Sequence, residues 1–263
     1  MANKPPAYCE FCGTRGVTKQ HVWPDWMGRH FSESTAYHVQ DLFDIKLLRS
    51  PSIAVLQPRM HFSQGPFHTR KLRIACQKCN SGWMSRIESK AKPTLELLAP
   101  GIRPRLDLSA QQALAAWLAL FTMVAEFTDR RTVAVTPEER SSLREYVRPS
   151  FGWRMWMGFH DDNDWKHRFF HHAVAAYPTH ETPPEPPPFN CQFTTIGFGS
   201  ALFHTAWTPY DSSQLHLPDR YAKRLASVWP TTSPELDCSG MVPLLPPDIA
   251  EVCNYFALPP RPQ

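Results

Sequence analysis

The sequence predicts an α+β protein in two parts, residues 1–105 and residues 106–263. The first part contains two CxxC pairs and carries 16 Lys and Arg against 7 Asp and Glu, a net charge of +9; the second carries 12 against 17, a net charge of −5. The second part opens with two helical patterns and continues with three segments rich in aromatic and β-branched residues, which favour an antiparallel sheet. With 42% hydrophobic residues over 263 positions, the chain can fill a packed core.

The two CxxC pairs are Cys9-Glu-Phe-Cys12 and Cys76-Gln-Lys-Cys79, with 63 residues between them. Each such turn points both of its sulfurs at one ion, and two turns complete the tetrahedral shell of four thiolates that zinc prefers. The spacing therefore predicts structural Zn²⁺. Because four protein ligands close the shell, any chemistry must come from neighbouring residues. The other three cysteines, which we interpret as small buried residues in a reducing compartment, are Cys191, Cys238 and Cys253.

In the first part, Val17–Val22 predicts a short strand that ends before Pro24. Residues Arg70–Ala75 alternate basic and apolar side chains, as expected of a half-buried strand that leads into Cys76. After Cys79, Asn80–Ala91 predicts a helix with apolar residues on one face. Weaker strand patterns occur between these elements, at Ala36–Val39 and Ile53–Leu56.

In the second part, Ser109 is the predicted N-cap of an apolar helix that reaches Phe127. Thr136-Pro137-Glu138-Glu139 combines a capping box with proline at the first helical position, which predicts a second helix to Val147. The predicted strands of the antiparallel sheet are Gly152–His160, Trp165–Ala176 and Phe193–Trp207. Short helices are predicted at Asp219–Val228 and Asp248–Phe256.

The aromatic and histidine residues of this second part have ordinary structural interpretations. Five tryptophans are interpreted as core or interface residues: Trp153, Trp156, Trp165, Trp207 and Trp229. Four histidines in the sheet-like segments are interpreted as surface residues and not as a second metal site: His160, His167, His171 and His172.

The runs CEFCGTRGVTKQHVWPDWM and ACQKCNSGWMSRIESKAKPTL resemble the HNH endonucleases of the ββα-metal class, in the subgroup whose fold is stapled by zinc. The resemblance covers about residues 8 to 98 and depends on the spaced cysteines, a His-x-x-Pro segment and a Cys-Asn pair. It implies a zinc-stapled ββα-metal module in residues 1–105. The helix-plus-antiparallel-sheet domain of residues 106–263 would brace that module or choose its target.

The resemblance also implies the site residues. His21 takes the role of the general base, and Gln20 and Asn80 take the roles of ligands to one catalytic ion, Mg²⁺ or another divalent cation. Gln20 departs from the family, which commonly has Asp or Glu there, and a neutral amide is the weaker ligand. Asp25 is a second candidate ligand, and Asn80 is also a residue type that caps helices. No Asn lies between Asn3 and Asn80 to fill the family's middle position, for which the candidates are His61 and His68.

The expected function is metal-dependent hydrolysis of DNA phosphodiester bonds, with RNA as the alternative substrate. The basic first part suits a phosphate-backbone partner, and the residues expected to contact it are Lys71, Arg73 and Lys78. Two other functions remain open. One is an HNH-derived zinc module that binds nucleic acid but is weak or inactive because of Gln20. The other is a protein-interaction scaffold in which zinc only holds the fold.

The sequence predicts a cytoplasmic protein with no membrane partner. The start, MANKPPAYCE, lacks the apolar core of a signal peptide. The longest apolar run, Ala113–Ala125, is shorter than the roughly 20 residues that a membrane-spanning helix needs.

Overall fold

The computed structural model describes residues 7–30, 37–46, 55–64, 70–176 and 188–256, and within them the protein is α+β, as predicted. The weak strand patterns fall partly outside this range, at residues 36, 53 and 54. The described residues around these patterns, Tyr37–Lys46 and Val55–Gln64, form two paired antiparallel strands, each longer than its predicted pattern. The strands of the first part are β1 (Thr18–His21), β2 (Tyr37–Lys46), β3 (Val55–Gln64) and β4 (Lys71–Ala75).

The helix after Cys76 is longer than predicted. It begins as α1 (Gln77–Cys79), widens into a π-helical turn (Asn80–Met84) and continues as α2 (Ser85–Leu98). The predicted end at Ala91 is wrong, because the helix continues through Pro93. The proline ring lies on the exposed face, while an apolar stripe on the opposite face stays buried to Leu98. Burial of that stripe offsets the hydrogen bond that proline removes from the helix.

The second part begins with β5 (Arg105–Asp107) and the helices α3 (Leu108–Ala125) and α4 (Pro137–Tyr146). The predicted cap at Ser109 is wrong by two residues, since the Asp107 side chain accepts from the Ala110 N–H at 2.7 Å and caps α3. The cap of α4 is confirmed, because the Thr136 hydroxyl accepts from the Glu139 N–H at 3.2 Å. The chain continues with β6 (Trp153–Phe159), β7 (His167–Val174), β8 (Cys191–Phe198), β9 (Ala201–Trp207), β10 (Leu225–Trp229), β11 (Glu235–Asp237) and α5 (Pro246–Asn254).

The five-stranded sheet of this part is antiparallel throughout, in the order β10-β6-β9-β8-β7. The segment Phe193–Trp207, predicted as one strand, is the hairpin β8–β9 and turns at Gly199. Gly199 has φ +58°, and a Cβ there would overlap the Ala99 carbonyl. The predicted helix Asp219–Val228 is also wrong. Only Asp219–Tyr221 forms a 3₁₀ turn, and β10 follows it at the sheet edge, where Val228 is buried against α3.

A single large hydrophobic core contains residues from both sides of the predicted boundary at residue 105. Trp23, which follows β1, is fully buried in this core. The Trp23 ring centroid lies 4.7 Å from that of Phe121 on α3 and 6.4 Å from that of Phe198 on β8. The first part therefore packs directly on the helix and the sheet of the second. The five tryptophans assigned to the core or to interfaces are buried or half-buried, and the three other cysteines are buried, as predicted.

Among the described helices, the stretch Leu108–Thr128 meets the length and hydropathy of a membrane-crossing segment. Most of this stretch, 72% of its most apolar window, is buried inside the protein. The core helix of a soluble protein has the same properties, so the stretch is weak evidence for a membrane. The cytoplasmic location stays a prediction.

A buried ion pair joins α3, α4 and the first cysteine loop. Arg140 Nη1 lies 3.2 Å from Glu126 Oε1, and both side chains are almost fully buried. Glu126 also accepts from the backbone N–H groups of Ala134 and Val135, each at 3.1 Å. Arg140 Nε donates to the Glu10 carbonyl at 3.0 Å. The pair thus fastens the loop that carries Cys9 and Cys12 to the second part.

Replacing Arg140 by Met should lower the free energy of unfolding by about 3–5 kcal/mol, because the Glu126 carboxyl group, whose pKa burial already raises to about 7, loses its cation and must stay charged alone in the core or take up a proton. Urea unfolding followed by tryptophan fluorescence measures the change. The control is Arg144→Met, which removes an exposed cation from the same helix and should shift stability by no more than about 0.5 kcal/mol. Equal effects of the two substitutions would show that the buried pair does not stabilise this region.

Candidate functional site

The first cysteine pair lies in a tight loop that two backbone hydrogen bonds close. The Gly13 N–H donates to the Cys9 carbonyl at 2.8 Å, and the Cys9 N–H donates to the Thr14 carbonyl at 2.9 Å. Gly13 has φ +69°, a left-handed conformation that glycine adopts without strain. The Glu10 N–H donates to the Ile74 carbonyl at 2.8 Å, which attaches the loop to β4. The loop therefore stands beside the end of the strand that carries the second pair.

The second cysteine pair forms the start of the helix. Cys76 is the residue before α1, in an extended conformation, and its carbonyl accepts from the Asn80 N–H at 2.9 Å. Cys79 lies one turn later and is buried. The change from strand to helix between Ala75 and Gln77 turns both sulfurs toward the first loop.

The four sulfurs form one cluster, as the spacing predicts. Their Sγ atoms all lie within 4.8 Å of one another, and those of Cys12 and Cys76 are 3.6 Å apart. In a tetrahedral site with Zn–S bonds of about 2.3 Å, neighbouring sulfurs are about 3.8 Å apart. All four cysteines are free of disulfide bonds, and Cys9, Cys76 and Cys79 are buried. The cluster could therefore hold a metal ion such as zinc.

Burial and hydrogen bonding act in opposite directions on the thiols of the cluster. Burial raises the pKa of the Cys9 and Cys79 thiols, since it disfavours their charged form. At Cys12, hydrogen bonds with Thr14, Cys9 and Cys79 together outweigh the effect of burial and lower the pKa to about 6. A bound divalent ion would supply the positive charge that stabilises four neighbouring thiolates.

β1 and β4 form a two-stranded antiparallel sheet beside this cluster. His21 pairs with Lys71, and Lys19 pairs with Arg73. Because side chains alternate across a strand, these four residues share one face of the sheet, and the three cations on it are exposed. We call this the basic face. Lys78, the third residue expected to contact nucleic acid, is also exposed and lies on the first turn of the helix.

His21 is the partly buried member of the basic face, with a side chain that is 25% exposed. Its Nε2 lies 3.5 Å from Oδ1 of Asp25. Burial lowers the pKa of His21, the charge of Lys71 lowers it further, and Asp25 opposes both. The imidazole is therefore neutral at neutral pH and has a free lone pair with which to accept a proton.

Gln20 faces the opposite side of β1 and is buried, with 4% of its surface exposed. Its Nε2 donates to the His21 carbonyl at 3.1 Å, and its Oε1 is buried without a hydrogen-bond partner. On the neighbouring helix α2, burial raises the pKa of the Glu88 carboxyl group to about 7, and a smaller effect of the Gln20 side chain opposes the rise.

Asn80 contacts a different part of β1. Its Nδ2 donates to Thr18 Oγ1 at 3.2 Å and lies 3.4 Å from the Lys19 carbonyl. Asn80 does not cap the helix, which begins three residues earlier. Within the described chain no hydrogen bond joins Asn80 to Gln20, whose amide nitrogen donates to the His21 carbonyl.

Glu88, which the sequence pattern does not single out, is half-buried on α2. Lys92, one turn further along the helix, lies 3.9 Å from Glu96. The available signal was the position of Glu88, four residues after the buried Met84 and next to the buried Ile87. The two candidates for the family's middle position give no further information, because His61 belongs to β3 and His68 lies outside the described residues.

Within the described chain, the four cysteines are the one group of at least three neighbouring His, Cys, Asp or Glu residues that could hold a metal ion. The surface interpretation is wrong for His160 and His172, which are buried. His171 is half-buried, and its Nδ1 lies 2.8 Å from Thr194 Oγ1. Burial lowers the pKa of His172 to about 3 and that of His171 to about 4, so both rings are neutral.

Comparison of the chain with protein-family models, with curated proteins and with solved structures finds no match in any of the three. The function therefore has to be inferred from the residues and their geometry.

Purified protein should contain one zinc ion per chain, measured by elemental analysis. Cys76→Ser leaves three thiolates and should abolish stoichiometric zinc and unfold the first part, because a structural zinc supplies folding free energy directly. Cys253→Ser is the matched control, a buried cysteine outside the cluster that should keep its zinc. Well-folded wild-type protein without bound metal would contradict the assignment.

Proposed function

We propose that the protein is a metal-dependent endonuclease of the HNH type that hydrolyses DNA phosphodiester bonds. One observation carries the proposal: His21, a neutral and partly buried histidine, lies on an exposed face with three cations, beside a four-cysteine cluster. Binding of a nucleic-acid backbone requires positive charge on the protein. Hydrolysis of a phosphodiester bond requires a base next to the scissile phosphate. The basic face offers both.

The order of elements supports the same proposal. Two antiparallel strands and a following helix are joined at their ends by the cysteine cluster, in the arrangement that the resemblance to zinc-stapled HNH endonucleases implies. In the proposed endonuclease the zinc ion is structural. It holds β4, the helix and the first loop together and takes no part in the reaction.

His21 would accept the proton of the attacking water through its neutral imidazole. The Asp25 carboxylate, 3.5 Å away, stabilises the imidazolium that results. Lys71 and Arg73 would hold the phosphate backbone across the face, with Lys78 at its edge. A divalent cation at the site would stabilise the charge that develops on the leaving oxygen. Gln20 and Asn80 are the ligands that the resemblance proposes for it.

The proposal predicts that the protein cuts supercoiled plasmid in the presence of Mg²⁺ or Mn²⁺ and not in EDTA. His21→Ala should slow cutting by at least on the order of 100-fold, because the positioned base is lost. Zinc content and DNA affinity should not change, since His21 contributes to neither. The control is His216→Ala, which removes an exposed histidine from the second part.

The outcomes separate the proposal from its alternatives. An alanine variant that cuts as fast as the wild type would show that His21 is not the base. DNA binding without cutting by the wild type would favour an inactive nucleic-acid-binding zinc module. Gln20 supports this alternative, because it is neutral and buried where the family commonly has an acidic metal ligand. No binding at low salt would favour a protein-interaction scaffold. Parallel cleavage assays with single-stranded RNA show whether DNA or RNA is the substrate.

A second prediction concerns affinity. Each neutralised phosphate contributes about 0.9 to the slope of log K against log salt concentration, so Lys71→Ala with Arg73→Ala should reduce that slope by about 2. Fluorescence anisotropy with a labelled duplex measures it. The matched control is Arg148→Ala with Lys223→Ala, two exposed cations of the second part, and should keep the wild-type slope. An unchanged slope in the first pair would remove the basic face from the interface.

A further inference from the structure

We infer that a cavity in the second part binds an organic cation, an ammonium or guanidinium group carried on an apolar stem. The cavity has a volume of about 420 Å³, which is within the range of small-ligand pockets. It lies between α4, the start of β6 and the segment that follows β9. The inference goes beyond the proposed nuclease and does not depend on it, because its residues are not those of the basic face.

Hydrogen bonds hold the walls of the cavity in place. The Thr208 N–H donates to the Gly152 carbonyl at 3.2 Å. The Ser212 hydroxyl donates to the Phe151 carbonyl. At Gly152 a Cβ atom would lie 2.8 Å from the Thr208 carbonyl oxygen, so a larger residue would push these two segments apart. The cavity is therefore formed before a ligand binds, as small-molecule sites usually are.

The first observation is the carboxylate of Glu139, which lines the cavity and is half-buried. Its Oε1 accepts from Trp153 Nε1 at 2.9 Å, which fixes the orientation of the carboxylate. Within the described chain no Lys, Arg or His nitrogen lies within ion-pair distance of Glu139, and the neighbouring cation on α4, Arg140, pairs with Glu126. A half-buried, oriented carboxylate without a cationic partner is a suitable contact for a cationic ligand.

The second observation is the charge of the cavity. Its described lining contains two carboxylates, Glu139 and Asp211, and one cation, Arg154, which leaves a net charge of −1. Arg154 Nε donates to the Ser212 carbonyl at 2.8 Å, which holds this cation against the wall. The second part as a whole carries a net charge of −5, and its field also attracts cations. The cavity and its surroundings therefore favour a cation over an anion.

The third observation is the pair of aromatic rings in the lining, Phe151 and Tyr210. Phe151 has 83% of its surface exposed, and Tyr210 has 37%. The face of an aromatic ring attracts ammonium and guanidinium groups. An apolar stem next to the cation would cover exposed ring surface. A carboxylate and aromatic rings in one cavity thus match the chemistry that polyamines share with Lys and Arg side chains.

Calorimetric titration of the whole protein at low salt tests the inference. The probes are spermidine and the blocked tripeptides Gly-Lys-Gly and Gly-Arg-Gly, with blocked Gly-Glu-Gly as the anionic control. We expect saturable binding of a cationic probe at one site per chain and no binding of the anionic control. The tighter probe, spermidine or tripeptide, tells whether a free polyamine or the side chain of a partner is the source of the cation.

Variants locate the binding in the cavity. Glu139→Gln should weaken binding by at least about tenfold, because it removes the charge and keeps an oxygen that can accept from Trp153. Glu138→Gln, the same change at an exposed neighbour outside the lining, should bind as the wild type does. Phe151→Ala should weaken binding by about two- to fivefold, the contribution of an exposed cation–π contact. Its control is Tyr146→Ala, which removes an exposed ring of α4 outside the lining.

Thermal unfolding verifies that each variant is folded. Because the Phe151 ring is exposed, its loss tests the cavity without disturbing the core. Absence of binding of every cationic probe to the wild type, unchanged affinity in Glu139→Gln, or equal losses in Glu139→Gln and Glu138→Gln would overturn the inference. Binding of adenosine monophosphate in place of the cationic probes would overturn it as well, since the cavity would then be a nucleotide site.

Discussion

The convergence of four cysteine sulfurs is the constraint on which the rest of the first part depends. They come from two segments with 63 residues between them and lie within 4.8 Å of one another. Closing so long a loop costs chain entropy, which a metal ion bound by all four thiolates can offset. The closure sets where β4 ends and where the helix begins. It thereby supports the pairing that places His21 opposite Lys71 and Lys19 opposite Arg73.

A second set of contacts holds this unit in a fixed position on the rest of the protein. Trp23, two residues after His21, is buried against Phe121 of the core helix and Phe198 of the sheet. On the other side, Arg140 donates to the carbonyl of Glu10 within the first cysteine loop. The packing of Trp23 therefore fixes the chain just after His21, and the buried ion pair fixes the cysteine loop through the hydrogen bond from Arg140. The second part braces the site even where it contributes no reactive group.

Much of this arrangement can be predicted from sequence, because its signals are local. The CxxC turns predict the cysteine cluster, and the alternation of basic and apolar residues in Arg70–Ala75 predicts the exposed face that Lys71 and Arg73 share. The helix cap at Thr136 follows from a four-residue pattern. Each of these depends on neighbours in the chain, where spacing fixes geometry.

The features that could not be predicted depend on contacts between distant segments. The helix continues through Pro93 because its opposite face is buried, and the hairpin within Phe193–Trp207 turns where Gly199 passes the backbone of Ala99. Val228 is drawn into an edge strand by packing against α3. The same holds for the site: spacing cannot show that the Gln20 side chain is buried, because its burial depends on what packs against that side of β1.

The central claim is that the face formed by β1 and β4 is where nucleic acid is bound and cut. The most direct measurement is a crystal structure of the His21→Ala variant with duplex DNA and Mn²⁺, with anomalous scattering used to locate the metals. We expect a backbone phosphate on the face that carries Lys71 and Arg73, next to position 21, with a manganese peak at that phosphate and zinc at the four cysteines. DNA bound to another surface, with this face open to solvent, would contradict the account.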